Sequence, residues 1–205
     1  MDYIKIYDEI LKRFPKENRL NTPLSEADVL DLELGDVVYF NGTIFTGREK
    51  ALQRLLDDSI MPFNIKEKSN VMMTSAPGVK ELGPNRYEAR AAMPTTNYRF
   101  IKWLPMLFEK CGLRALISKG GLQRDAYTLL HRYHAINVIM VAPAITAIYA
   151  MAIRAIKNMF WVEEFRTTDA LYVFEIENLG PFIVEGDVNG NSLYKDIIIV
   201  LDIID

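Results

Sequence analysis

Apolar, β-branched runs alternate with helix-like segments in the second half of the chain, and this order limits the possible folds most strongly. ALISKGG precedes the helical pattern QRDAYTLLHRYH, and NVIMVA precedes the helical pattern PAITAIYAMAIRAIKNMF. LYVFEIEN and PFIVEGDV follow as two further strand-like runs. Strands that alternate with helices are typical of α/β domains. The sequence therefore predicts an α/β fold for this half.

The first half of the chain is richer in strand-like segments. DVVYFNGTIF has the pattern of a strand, and REKALQRLLDD after it has that of a helix. Residues 61–92 indicate short strands separated by Pro-Gly and Gly-Pro-Asn turns. FIKWLPMLFEKC predicts a helix that Pro105 kinks or interrupts. These strands favour a second sheet beside the main one.

The ends of the chain differ from its middle. Residues 2–14 place their large apolar side chains on one face at helical spacing, and polar residues follow. We therefore divide the chain into an N-terminal helical arm over residues 1–21 and one α/β domain over residues 22–205. The arm and the apolar tail that begins at Asp196 are the predicted contacts with a partner or with a second copy.

Composition excludes several classes of function. The 205 residues include 24 basic and 27 acidic side chains, one cysteine and two histidines, for a net charge of −3. Nucleic-acid binding without sequence preference needs a basic surface, so this function is not expected. One cysteine excludes an intramolecular disulfide framework and a four-cysteine metal cage, and it favours a reducing, cytoplasmic location.

One uncharged stretch is almost long enough for a membrane span. Residues 135–153 approach the roughly 20 residues that cross a bilayer. Pro143 interrupts the stretch, which is β-branched before that proline and alanine-rich after it. We therefore predict a buried strand, a turn and a helix, and no membrane insertion.

Three loops combine a strand end, a Gly or Thr, and a cation near a helix start. NGTIFTGREK carries Arg48, MPTTNYRF carries Arg99, and ISKGGLQRD carries Lys119. Helix N-termini attract anions, and open α/β sheets bind ligands beyond the carboxyl ends of their strands. Arginine forks and a lysine suit a small dicarboxylate. Alternatively, Thr95 or Thr96 is an ordinary helix cap and the cations are solvated surface charges.

Other polar residues have simpler interpretations. His131 and His134 lie three residues apart without a third ligand at a telling spacing, so a surface helix explains them better than a metal site. Cys111 is expected to be a partly buried structural thiol. Glu185 and Asp187 precede an Asn-Gly turn, where they either serve a function or shape the loop.

Four of these segments, in order, resemble one known family. GDVVYFNGTIFTGREKA, MPTTNYR, LRALISKGG and PFIVEGDVNGNSLY are similar to the β subunit of the class I, iron–sulfur-dependent hydro-lyases. This family includes fumarate hydratases and L(+)-tartrate dehydratases. The resemblance covers residues 22–194 and implies a three-layer β/β/α swivelling domain with mixed sheets.

The resemblance also implies a shared active site. A 4Fe–4S cluster would be held by three cysteines of a partner α subunit, and this chain would supply no metal ligand. The implied activity, present only with the α subunit, is the reversible hydration of a small dicarboxylate, with fumarate to malate as the first choice. L(+)-tartrate dehydration is the alternative within the family. A homodimer of the β chain or an α2β2 assembly is the expected quaternary state.

Individual roles follow from the same resemblance. Thr95 corresponds to the family's proton-transfer threonine, and Arg99 to the arginine that contacts a substrate carboxylate. Thr96, Lys119 and Arg48 correspond to further substrate-binding positions.

The sequence departs from the family's pattern at three positions. Met93 replaces a glycine, Leu52 stands where a histidine is common, and Leu122 replaces a third glycine. These departures keep open a non-catalytic carboxylate-binding or scaffold subunit.

Overall fold

The structure is a computed structural model that describes residues 16–83, 86–141 and 146–195. Its strands are β1 (Glu17–Asn21), β2 (Val37–Thr46), β3 (Val71–Met73), β4 (Gly78–Gly83), β5 (Arg86–Ala91), β6 (Ala115–Ser118), β7 (Ile136–Met140), β8 (Ile153–Phe160) and β9 (Leu171–Gly186). Its α-helices are α1 (Ala27–Leu30), α2 (Glu49–Leu52), α3 (Ile65–Lys68), α4 (Leu104–Cys111), α5 (Arg124–Tyr133), α6 (Thr146–Met151) and α7 (Val162–Asp169). A π-helical turn, Gln53–Asp57, extends α2, and a 3-10 helix, Asn97–Trp103, precedes α4.

Seven strands form one mixed sheet that closes into a barrel. The order is β1-β2-β3-β6-β7-β9-β8, and an additional β2–β9 pairing joins the two sides. Strands β2, β3, β6 and β7 are parallel neighbours, whereas β9 runs antiparallel to β2 and β7. The α/β class and the mixed sheet are confirmed, and the large sheet is barrel-like. β4 and β5 form the separate two-stranded sheet that the sequence predicts.

The interior contains two apolar clusters, which arise because successive side chains of each strand face opposite sides of the sheet. Val38, Phe40 and Ile44 of β2 join residues of β3, β6, β7 and β9 in one cluster. Phe45 points the other way and packs in a second cluster with Leu52 and with residues of α4 and α5. Because successive side chains of a strand face opposite sides, the barrel interior and its helix-covered face are both apolar.

The N-terminal helical arm is not shown. Residues 17–21, which the sequence assigns to this arm, form β1 and pair in parallel with β2. The predicted helix over residues 2–14 and the apolar tail from Asp196 lie outside the described residues. Among the described residues, no helix is both long and apolar enough to cross a membrane.

Two further predictions of secondary structure are wrong in part. The single helix predicted for PAITAIYAMAIRAIKNMF is α6 followed by β8, because the latter half pairs with β9 along the sheet. The two strands predicted for LYVFEIEN and PFIVEGDV are one strand, β9, since pairing with β2 continues on both sides of Pro181.

Candidate functional site

Two of the three predicted site loops follow parallel strands at the same edge of the barrel. Gly47 and Arg48 come after β2 and Lys119 after β6, whereas the loop with Thr95, Thr96 and Arg99 follows β5 of the small sheet. Thr74 follows the strand β3, which lies between β2 and β6. The backbone N–H of Gly47 donates to the carbonyl of Met73 at 3.2 Å, so the first two strand ends are joined. The carboxyl edge of parallel strands is where α/β proteins bind ligands.

Thr95 connects the second and third of these strand ends. Its N–H donates to the carbonyl of Thr74 at 2.6 Å, and its carbonyl accepts from the N–H of Lys119 at 3.1 Å. The hydroxyl of Thr74 also donates to the Thr95 carbonyl at 3.0 Å. The structure therefore brings two predicted site residues, Thr95 and Lys119, into direct backbone contact.

Thr96 and Arg99 belong to the 3-10 helix that follows Thr95. Thr96 occupies the cap position, but its side chain makes no capping hydrogen bond. Thr96 is therefore the helix cap by position, without the side-chain hydrogen bond of an ordinary cap. Arg99 is exposed, with its Cζ 5.3 Å from the centre of the Phe100 ring.

Arg48 and Lys119 differ in what holds their side chains. Arg48 caps α2, and its Nη1 donates to the carbonyl of Thr168 at 3.1 Å, at the end of α7. The buried Nε of Arg48 has no hydrogen-bond partner among the described residues. Lys119 is exposed, and within the described ranges neither it nor Arg99 makes an ion pair. Within the described residues, no hydrogen bond joins the Arg48 guanidinium to Thr95 or Lys119.

A glycine is required in the turn after Lys119. A Cβ at Gly121 would lie 2.8 Å from Cδ2 of Tyr194 and 3.0 Å from the hydroxyl oxygen of Tyr127. Gly120 has φ = +91°, which a residue with a side chain rarely adopts. The two glycines therefore allow the loop to lie directly against the residues behind it.

The sequence did not single out Asn97, although it follows the two threonines. Its side chain is fully buried, and neither the amide nitrogen nor the amide oxygen has a hydrogen-bond partner among the described residues. Buried polar atoms are nearly always paired, so an unpaired amide beside a proposed site is a candidate ligand contact. Only its adjacency to the threonine pair could have indicated it.

Glu185, which sequence reasoning left undecided, is fully buried behind the Lys119 turn. Its carboxylate accepts hydrogen bonds from Tyr127 at 2.8 Å and from Asn137 at 2.7 Å. Asp187 shapes the following turn, because its Oδ1 accepts from the N–H groups of Asn189 and Asn191.

The remaining candidates have structural surroundings. Cys111 is buried, and this burial raises the pKa of its thiol to about 12. His131 and His134 contact different partners, the carbonyl of Val188 and the carboxylate of Glu26. In the described part of the chain, no three His, Cys, Asp or Glu side chains are grouped as metal ligands.

The three departures from the family's pattern lie in different environments. Leu52 is fully buried and Leu122 is 6% exposed, and both pack in the helix-side apolar cluster. Met93 is 43% exposed, beside the Thr95 loop. Two of the three departures are therefore core positions.

Comparison with known proteins gives a consistent result. Residues 7–197 match the model of the family described as Fumarase C-terminus. The chain is 27% identical over 179 residues to the putative L(+)-tartrate dehydratase subunit beta of Methanocaldococcus jannaschii, covering 85% of this chain and 89% of that protein. It is also 27% identical over 178 residues to the L(+)-tartrate dehydratase subunit beta of Escherichia coli K12, covering 86% of each. A putative fumarate hydratase class I of Geobacillus stearothermophilus is 28% identical over 178 residues, which cover 87% of this chain and 34% of that longer protein.

Proposed function

Because this chain belongs to the Fumarase C-terminus family, we propose that it is the β-type subunit of an iron–sulfur hydro-lyase acting on a small dicarboxylate. The observation that supports this most is the backbone hydrogen bond between Lys119 and Thr95 at the carboxyl edge of the barrel. It holds an unpaired cation and a hydroxyl next to each other where α/β proteins bind ligands.

The roles of the side chains follow from their charges. Lys119 and Arg99 carry positive charge at this edge and bind the two carboxylates of the substrate. Both also stabilise the negative charge that grows on a carboxylate when the neighbouring carbon loses its proton. Thr96 is exposed and free of capping bonds, so its hydroxyl is available to the same substrate.

Thr95 moves the proton in this proposal. Its hydroxyl lies 3.4 Å from the carbonyl of Thr96, a long contact that leaves the oxygen available. A threonine hydroxyl is a weak base at its ordinary pKa, so the neighbouring cations are needed to favour its deprotonated form.

The iron–sulfur cluster does not fit on this chain. The sequence contains one cysteine, Cys111, which is buried in α4, whereas such a cluster needs several thiolates. The cluster, which supplies Lewis-acid chemistry when bound, therefore belongs to a partner α subunit in this proposal, in the reducing cytoplasm. Arg48 contributes its positive charge from the neighbouring strand end, where one of its nitrogens donates to the carbonyl of Thr168.

L(+)-tartrate is the second candidate substrate. Two tartrate dehydratase β subunits match this chain over 86% or more of their own length, so a separate subunit of this size is a common arrangement among its relatives. Fumarate remains the first substrate to test, and a non-catalytic scaffold subunit is the outcome if neither reacts.

The test is reconstitution with a candidate α subunit without oxygen. We expect no iron and no hydration of fumarate with this chain alone, and activity with fumarate or L(+)-tartrate in the complex. Native mass measurement of the same sample separates an α2β2 assembly from a β homodimer. Full activity of the isolated chain would contradict the two-chain proposal, and an assembled but inactive complex would favour the scaffold.

A matched pair of variants tests the cationic site. Lys119→Met should reduce kcat/KM by about tenfold or more, because a hydrogen bond to a charged group is lost. Lys68→Met removes the same charge from α3, which precedes β3 at the opposite edge, and should leave kcat/KM unchanged. Equal losses in the two variants would remove Lys119 from the site.

A further inference from the structure

Five polar side chains form a buried cluster behind the Lys119 turn. Strand alternation places Ser118 of β6, Asn137 of β7 and Glu185 of β9 on the face that α5 covers, and each is fully buried. Tyr127 of α5 is 5% exposed and Ser192, after β9, is 8% exposed. Residues distant in sequence therefore meet in one place.

Glu185 is the acceptor at the centre of this cluster. Its Oε1 accepts from the hydroxyl of Tyr127 at 2.8 Å and from that of Ser192 at 2.5 Å. Its Oε2 accepts from Nδ2 of Asn137 at 2.7 Å. A carboxylate only accepts hydrogen bonds, and three donors surround this one. Burial raises the pKa of the Tyr127 hydroxyl, so this group keeps its proton at neutral pH.

Tyr127 and Asn137, which donate hydrogen bonds to Glu185, also connect to the Lys119 turn. The hydroxyl oxygen of Tyr127 accepts from the N–H of Leu122 at 2.9 Å, on one side of the turn. On the other side, the Ser118 hydroxyl lies 2.9 Å from both the Gly120 carbonyl and Oδ1 of Asn137. Glu185 therefore connects two arms that fix the backbone before and after Gly121.

We infer that Glu185 is a positioning residue for Lys119. It has no exposed surface, so it acts through Tyr127 and Asn137, which fix the turn that presents the lysine. The inference rests on the proposed function in one respect, namely that Lys119 binds a substrate carboxylate. The fixed turn is a property of the free chain and is testable separately.

An amide cannot replace this carboxylate without loss. If a glutamine NH2 faced Asn137, two donors would oppose each other. If it faced Tyr127, the tyrosine and serine hydroxyls would lose their carboxylate acceptor, and only the 3.0 Å contact between those two hydroxyls would remain. Glu185→Gln therefore keeps the volume and weakens at least one arm in either orientation.

The first experiment measures the turn on the full chain without substrate. We expect amide hydrogen exchange of residues 120–122 to become about tenfold faster in Glu185→Gln and in Tyr127→Phe, because a bond that protects Leu122 is weakened or removed. Asn70→Ala is the matched control. Asn70 lies just before β3, at the opposite edge of the barrel, and its side-chain amide makes two 2.7 Å hydrogen bonds to the backbone of Leu24. Unchanged exchange in the first two variants, or equal acceleration in Asn70→Ala, would overturn the inference.

The second experiment uses the reconstituted enzyme and a double-mutant cycle. Glu185→Gln should raise KM for the dicarboxylate about tenfold in the wild-type background and not at all in the Lys119→Met background. Additive effects would mean that Glu185 does not act through Lys119. If no complex is active with any dicarboxylate, the proposed function fails, while the exchange measurement still decides whether Glu185 fixes the turn.

Discussion

The two loops that carry Thr95 and Lys119 are bonded to each other, yet the buried polar groups beside them are satisfied to very different degrees. Behind the Lys119 turn, Glu185 has three hydrogen-bond donors and every member of its cluster is paired. In the Thr95 loop, both amide atoms of Asn97 are buried without a partner among the described residues.

The difference distinguishes a loop that is held by paired buried groups from a loop whose buried amide lacks a hydrogen-bond partner. A completely paired network holds its loop in the free chain and stabilises the fold. An unpaired buried amide costs about 1–3 kcal/mol, so it persists where assembly or substrate supplies the missing partner. We therefore expect the Lys119 side to be formed in advance and the Thr95 side to be completed by binding.

The largest expected effect is on stability, at Glu185. Glu185→Leu removes the carboxylate to which Tyr127, Ser192 and Asn137 donate, and it should lower the free energy of unfolding by about 3–5 kcal/mol, because each buried donor left unpaired costs about 1–3 kcal/mol. Glu175→Leu is the control in the same strand, because its ion pair with Lys157 is at the surface and is worth less than about 1 kcal/mol. Urea unfolding measures both. Similar losses in the two variants would show that the buried network is not the main support.

The next effect is on turnover, at Thr95. In the reconstituted enzyme, Thr95→Ala should lower kcat about a hundredfold, with a smaller change in KM, because a proton-transfer group is removed. The free energy of unfolding should hardly change, since the backbone bonds of Thr95 remain. Thr128→Ala, an exposed position on α5, is the control and should leave kcat unaltered. An unchanged kcat in Thr95→Ala would remove this threonine from the proposed machinery.

The smallest effect, and the sharpest contrast, is expected at Asn97. Asn97→Leu should keep or slightly raise the melting temperature, because it removes an unpaired buried amide. Asn70→Leu removes a paired amide and should lower the melting temperature. Calorimetry of the two variants compares them directly. A clear loss of stability in Asn97→Leu would mean that this amide is bonded in solution, and the contrast between the two loops would fail.

Much of the sheet was predictable from local patterns. The apolar runs around β2, β6 and β7 have strand composition, and glycines follow β2 and β6 in the loops that carry Arg48 and Lys119. β8 was not predictable, because RAIKNMF has residues common in helices, and its strand form depends on pairing with β9 at the sheet edge.

The candidate site was only partly predictable. The cations and threonines could be proposed from the sequence, since charge and loop chemistry are visible there. Glu185 and Asn97 were not assigned a role, because their importance depends on contacts between distant segments. Glu185 meets Tyr127, for example, only when β9 and α5 are both in place.

Closure of the barrel sets the order in which this chain can acquire its structure. The hydroxyl of Thr46 accepts from the N–H of Tyr172, 126 residues later, so the final seam joins an early strand to a late one. Folds dominated by such distant contacts fold slowly, and a nascent chain gains β9 only after the other strands of the barrel. Until then β2 has an open edge that other chains can pair with. A product truncated before Leu171 is therefore an open, aggregation-prone sheet and not a smaller barrel.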